Sequence, residues 1–207
     1  MGPISFQFFM MSIILIALTM YLILYENISE KSELTEFLEP FVDQGEKAFF
    51  LETKGDNSLN YRQACAVESL ALLNPDLPVY VLFANEHFDD TTVTLSTLQQ
   101  YKNIKLVHIN LEEYVAKTPL ESWNRDSGWK QGPYRASHLS DGLRMLTLFK
   151  YGGYYFDLDI IFTRPVKYYR NFAATEDENT LNGAALHAEK GYPFLKMAIE
   201  EFVNNYK

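Results

Sequence analysis

The chain has 207 residues and a formal net charge of −9, and 47% of it is hydrophobic and 15% aromatic. That length allows one medium domain with a real core, and that apolar content excludes a disordered chain. The acidic balance argues against nucleic acid as a partner, because a phosphate backbone is bound by an excess of lysine and arginine.

Residues 1–25 carry no charged side chain, and the apolar run over 8–24 with its flanks matches the roughly 20 residues that a bilayer helix needs. The segment is predicted to be a transmembrane signal anchor. A cleaved signal peptide is the alternative, but the run is long, no basic leader precedes it and no small-x-small cleavage site follows. Charge does not orient the span, since the first lysine or arginine is Lys31. Asn27-Ile28-Ser29 is a glycosylation sequon so near the span that it is expected to stay unmodified. Residues 26–46 hold Glu26, Glu30, Glu33, Glu36, Glu39, Asp43 and Glu46 with Pro40 between them, and read as an acidic stem, partly helical over 32–38.

Beyond the stem, strand and helix patterns alternate over 47–207. Lys47-Ala48-Phe49-Phe50-Leu51-Glu52 reads as a strand, and 62–73 as a helix with Ala64, Val67, Leu70 and Leu73 on one side. A strand over 79–83, a helix near 95–101 and a strand over 104–109 follow. This βαβαβ order predicts an α/β fold with a mostly parallel central sheet covered by helices. Residues 111–133 are the least regular stretch and are expected to form a loop beside the site. Aromatic rings offer flat faces to a ring-shaped ligand, so Trp123 and Trp129 in this loop are candidate ligand contacts, with packing beneath the loop as their competing role.

The segment from Leu139 to Phe162 carries the most information. Leu139, Leu143, Leu146, Leu148 and Phe149 recur at helical spacing, and Gly152-Gly153 can end a helix in the left-handed conformation. Asp141 and Arg144 then share a face of that helix. Next comes a strand pattern with Tyr155, Asp157 and Asp159 on one side and Phe156, Leu158 and Ile160 on the other. Two carboxylates roughly 6 to 7 Å apart on an otherwise apolar strand are costly unless a cation offsets them. Oxygen donors favour a hard ion, magnesium or manganese, that keeps positions open for phosphate oxygens. Open α/β sheets bind ligands at such strand ends. Each pair also has an ordinary reading, exposed acids at a strand end for Asp157 and Asp159, and a helix ion pair for Asp141 and Arg144.

Past this strand, 175–179 looks like an acidic loop, 182–188 a strand and 193–206 a helix. The chain lacks a G-x-x-x-x-G-K-[ST] phosphate loop, an H-E-x-x-H pair and a G-x-S-x-G elbow, and its single cysteine cannot build a zinc cluster.

Ser140, Asp141, Arg144, Gly152, Gly153, Tyr155, Asp157 and Asp159 match, in order and spacing, S-D-x-x-R … G-G-x-Y-x-D-x-D. On these residues the chain resembles the glycosyltransferases with a D-x-D sugar-binding region. Phe49-Phe50-Leu51-Glu52-Thr53, the run from Arg62 to Ser69, and Asn74-Pro75-Asp76-Leu77 look like the α1,4-glycosyltransferase branch of that family. The resemblance runs from about Phe49 to the end of the chain.

The resemblance implies a GT-A-like nucleotide-sugar-binding domain over 47–207, with one transmembrane helix before it. It implies Mn2+ or Mg2+ as cofactor and a UDP-sugar donor, held by Asp157 and Asp159, with Asp159 the more direct metal ligand. Asp141, Arg144 and Tyr155 would complete the donor site, and His187 could approach the donor or serve a structural role instead. The implied activity is a metal-dependent retaining hexosyltransferase of glycosphingolipid synthesis. It would move galactose, N-acetylgalactosamine or N-acetylglucosamine from UDP in α1,4 linkage to a glycolipid or glycan acceptor. The implied location is the Golgi membrane, single-pass type II, with the domain in the lumen.

Relatives of this kind continue for roughly a further third and carry a G-P-x-x-x-T segment, so the domain is expected to be C-terminally truncated. Cys65 would pair with a cysteine in that further part, or is a small buried apolar residue on the first helix. Two other readings stay open: a glycoside hydrolase using Asp157 and Asp159 as its carboxylate pair, and a truncated, non-catalytic, membrane-anchored relative of the transferases.

Overall fold

A computed structural model describes residues 45–206 except 86, 127, 167 and 168. The expected membrane span over 1–25, and the stem up to residue 44, lie outside the described residues. Among the described residues no helix is long and apolar enough to cross a membrane.

The elements follow in the order β1 (Ala48–Glu52), α1 (Tyr61–Leu73), β2 (Val79–Phe83), α2 (Val93–Leu98), β3 (Ile104–His108), α3 (Leu111–Val115), α4 (Leu120–Asp126), a 3-10 turn (Gly128–Gln131), α5 (Arg135–Tyr151), β4 (Gly153–Phe156), β5 (Phe172–Thr175), β6 (Leu181–Ala188) and α6 (Pro193–Asn205). The strands form one sheet in the order β3-β2-β1-β4-β6-β5. β3, β2, β1 and β4 are parallel, β6 is antiparallel to β4, and β5 is antiparallel to β6. All five residues of β1 and of β2 are buried, which suits central strands covered on both faces. The main core, with Phe50, Val67, Leu70, Val81, Phe83, Leu95, Tyr154 and Phe156, lies between the sheet and α1 with α2.

Local sequence accounts for the boundaries. Asn60 Oδ1 accepts from the Gln63 N–H at 3.0 Å while Gln63 Oε1 accepts from the Asn60 N–H at 2.9 Å, so a reciprocal cap starts α1. α5 stops where Gly152 takes φ +67° and donates its N–H to Leu148 O. Gly153 follows at φ +99°, and a Cβ there would lie 2.3 Å from Lys47 O. Only glycine lets β4 come this close, and the next residue, Tyr154, donates to that same carbonyl at 2.8 Å. β4 is thereby stitched to β1.

From β1 the chain builds β2 and β3 on one side and then returns to place β4 on the other. The gap between β1 and β4 is therefore the point where the strand order reverses, and ligands of open α/β sheets bind outside the C-terminal ends of the strands at such a point.

The structure differs from the sequence reading in several places. Residues 111–133, expected as a loop, hold α3, α4 and the 3-10 turn. Asn110 Oδ1 caps α3 by accepting from the N–H groups of Glu112 and Glu113, and burial of Leu120 and Trp123 fixes α4. β4 ends at Phe156 rather than running on through Phe162. Ile160 N–H bonds back to Asp157 O, so Asp157 and Asp159 belong to the turn that leaves the strand. Strand β5 has no counterpart in the sequence reading; only four residues long, it is held by β6. Cys65 is an exposed free thiol on α1, not a buried apolar residue.

Candidate donor-binding site

A cleft of about 430 Å³ opens at the reversal point. The end of β1 contributes Leu51 and Thr53, the start of α1 contributes Asn60, Arg62 and Gln63, and the turn after β4 contributes Asp157, Leu158 and Asp159. Ala136, Ser137, Ser140 and Arg144 of α5 line the opposite wall with Tyr155. The spacing of those four residues puts them on one stripe of the helix.

Arg144 joins the two acidic motifs. Its Nη2 lies 3.0 Å from Asp141 Oδ1 and 3.5 Å from Asp157 Oδ1, and its Nε donates to Ser140 O at 3.3 Å. The guanidinium carbon sits 5.1 Å from the centre of the Tyr155 ring. The Tyr155 hydroxyl donates to Asp157 Oδ1 at 2.6 Å and stands 3.1 Å from Ser140 Oγ. The Arg144 side chain is 12% exposed, against 30% for Asp157 and 47% for Asp141. The cation is thus sheltered and the carboxylates face solvent. Burial raises the Asp141 pKa; the Arg144 charge opposes this and the Asp157 charge adds to it.

Of the residues expected at the site, Arg144, Tyr155, Asp157 and Asp159 line the cleft, and Asp141 meets it through Arg144. The three other candidates lie elsewhere. Trp123 and Trp129 stack on each other with ring centres 4.6 Å apart and planes 8° from parallel, only 5% and 6% exposed. Phe202 and Tyr206 both pack edge-on against Trp123, so the pair forms a small core between α4 and the C-terminal end of α6 and offers no face to a sugar in the cleft. His187 pairs with Tyr154 at the beginning of β4, the end of the strand away from Asp157. There Nδ1 accepts from the Asn171 N–H at 2.8 Å, and Nε2 contacts Glu46 Oε2 at 2.9 Å. Both ring nitrogens are taken by structural partners.

The sequence reading assigned no role to Thr53, Asn60, Arg62, Gln63, Ser137 or Ser140 individually. The N-x-x-Q cap over 60–63 was a legible signal, because a capped helix start directly after a buried strand points its first turn at the strand end. Glu52 was another. Its buried carboxylate accepts from the N–H groups of Lys54 at 2.9 Å and Gly55 at 3.2 Å and turns the chain out of β1. Thr53 is then placed so that its hydroxyl donates to Ala136 O at 2.9 Å, tying the loop to α5. Burial raises the Glu52 pKa, with the two amide bonds opposing.

The donor set can be tested against a divalent cation. Asp157 and Asp159 present hard carboxylate oxygens from one turn on one cleft. Among the described residues no group of three or more His, Cys, Asp and Glu could hold a metal unaided. Two carboxylates are a donor set that would suit a magnesium-type ion at a diphosphate, the rest of its shell being phosphate oxygens and water.

Fold and site together define a glycosyltransferase-type α/β domain. The PaToxG glycosyltransferase superposes with a TM-score of 0.59 at 15% identity, covering 88% of this chain and 71% of that one. A structure described as that of a transferase mutant gives 0.53 at 12%, covering 79% and 80%. The family described as glycosyltransferase sugar-binding region containing DXD motif matches residues 60–181, more than half of the sequence, and the chain belongs to it. Lactosylceramide 4-alpha-galactosyltransferase of Mus musculus is 33% identical over 171 residues, 81% of this chain and 48% of that protein. Alpha-1,4-N-acetylglucosaminyltransferase of Homo sapiens is 28% identical over 176 residues, 82% and 51% respectively. The chain spans about half the length of these relatives.

Proposed function

We propose that this chain provides the donor-binding domain of a retaining hexosyltransferase. In this reading it moves galactose, N-acetylgalactosamine or N-acetylglucosamine from a UDP donor, in α1,4 linkage, to a glycolipid or glycan acceptor. The names of the relatives support the linkage and a lactosylceramide-type acceptor. The observation that carries the reading is the meeting of Arg144, Tyr155 and Asp157, with Asp159 beside them, in one cleft at the reversal of strand order.

Each side chain has a task in such a site. Asp157 and Asp159 would hold Mn2+ or Mg2+, and the bound ion would stabilise the negative charge of the departing diphosphate. Tyr155 fixes the orientation of Asp157 through its 2.6 Å hydrogen bond. Arg144 supplies fixed positive charge and, with Asp141, hydrogen-bonding groups for donor hydroxyls or phosphate. Arg62, at the first turn of α1, brings a second cation to the same cleft, where an acidic chain must accommodate an anionic donor. In the same proposal the chain is a type II Golgi membrane protein, anchored by 1–25 with the domain in the lumen.

Calorimetry on the full chain in detergent, titrated with each UDP-sugar in manganese and then in EDTA, tests the reading. Binding of at least one donor that disappears in EDTA is expected. Failure of all three donors in manganese would overturn the donor site, and binding that persists in EDTA would overturn the metal.

A further inference from the structure

Gly183 on β6 has no left-handed backbone to account for its lack of a side chain. What it accommodates is Arg144. A Cβ on Gly183 would lie 2.6 Å from Nη1 of Arg144, 3.4 Å from its Cδ and 3.5 Å from its Cζ, so the arginine side chain lies across the bare backbone at this position. The strand around Gly183 is irregular as well. Ala173 pairs with Leu186 but the next residue, Ala174, pairs with Asn182, which leaves Gly183, Ala184 and Ala185 as extra residues on β6 opposite β5. Asn182 Oδ1 accepts from the Ala184 N–H at 2.7 Å and holds this bulge, and Ala184 O accepts from the Asp157 N–H at 2.8 Å. Bulges of this kind re-aim groups beside functional sites.

We propose that Gly183 is a positioning residue for the donor site: the space left by its missing side chain sets the guanidinium of Arg144 at Asp157, while the adjoining carbonyl of Ala184 holds the Asp157 backbone. Its consequence for donor binding rests on the reading given above. The inference goes beyond that reading because no chemistry is assigned to Gly183 itself. The clash is with the far end of a flexible side chain, and the backbone accepts alanine. A methyl group at 183 therefore displaces Arg144 without breaking the fold.

The experiment is Gly183→Ala in the full chain, alone and combined with Arg144→Lys, which removes Nη1. Thermal unfolding of Gly183→Ala is expected to stay close to that of the unaltered chain. UDP-sugar affinity in manganese is expected to fall about tenfold or more, as for a lost charge-assisted hydrogen bond. In the Arg144→Lys background the same alanine is expected to have little further effect, because the two changes act on one contact. Equal losses in both backgrounds would overturn the inference. The Nε–H resonance of Arg144, followed in arginine-labelled protein, reports the arginine without any donor. An unmoved resonance in Gly183→Ala overturns the positioning role even where donors bind. A shifted resonance in a chain that binds no UDP-sugar supports the positioning role and instead overturns the donor reading.

Discussion

The hydroxyl of Tyr155 donates a 2.6 Å hydrogen bond to Asp157 Oδ1, the same oxygen that faces Arg144 at 3.5 Å. One carboxylate oxygen is thus held from the strand and from the helix at once. Burial pushes the tyrosine pKa far above the usual phenol range; Arg144 opposes the shift and Asp157 adds to it, so the hydroxyl stays a donor at any working pH. Tyr155→Phe keeps the ring beneath Arg144 and deletes only the bond. A hydrogen bond to a charged group contributes about 1.5–3 kcal/mol. Donor affinity in manganese should fall by about one to two orders of magnitude in a domain whose circular dichroism is unchanged. An unaltered Kd by calorimetry would remove Tyr155 from the site.

Asp159 is exposed and makes no hydrogen bond or ion pair with the described residues, although it lines the cleft. Its removal should leave stability within about 0.5 kcal/mol, as for a surface position without structural partners. Asp159→Ala is therefore expected to abolish manganese-dependent donor binding while urea unfolding stays superimposable. A large loss of stability would show that the residue is structural.

The stacked indoles make the opposite forecast. Trp129→Ala opens a cavity in a buried aromatic cluster and should destabilise the domain by about 3–5 kcal/mol, the range for large aromatic truncations. Trp129→Phe, which retains much of the packing, should restore most of that stability and leave donor affinity unchanged. Loss of donor binding in a fully stable Trp129→Phe variant would return this residue to the list of ligand contacts.

His187 should give the fold a pH dependence. Burial lowers its pKa from 6.5 to about 4; the Arg170 charge adds to the effect and Glu189 opposes it. Protonation would also break the bond that Nδ1 accepts from Asn171. A group whose folded pKa is depressed contributes stability that is present above its unfolded pKa and lost as pH falls. The loss is expected between about pH 6.5 and 4, and the Glu46 carboxylate beside Nε2 works against it. Urea unfolding across that window should show it, and His187→Gln, which cannot titrate, should flatten the slope.

The parts legible in the sequence are those set by local periodicity. A strand covered on both faces must be apolar throughout, so β1 and β2 stood out, and the 3.6-residue stripe of Leu139, Leu143 and Leu146 marked α5 up to its glycine stop. The short elements α3, α4 and β5 were not legible, because four to seven residues are too few to establish a period, and what holds them is a cap at Asn110, a buried tryptophan and a neighbouring strand. The acid pair was legible as a candidate cation site, since two carboxylates at that spacing suit a hard ion, although exposed acids at a strand end fit the same spacing. That they lie in a turn beyond the strand was not, because the closing bond from Ile160 N–H to Asp157 O leaves no mark on composition.

The sequence by itself determined the longer strands and helices, the pairing of Asp141 with Arg144 on one helix face and the placing of Asp157 and Asp159 near a strand end, each of which follows from spacing along a single element. Only the tertiary structure decided which element meets which. It carried Arg144 across to Asp157 through the contact of α5 with the end of β4, put Gly183 behind that arginine, sent His187 to the far end of β4 through the antiparallel register of β6, and turned Trp123 and Trp129 onto each other. These contacts depend on register and on packing between segments distant in the chain, and no local period encodes either.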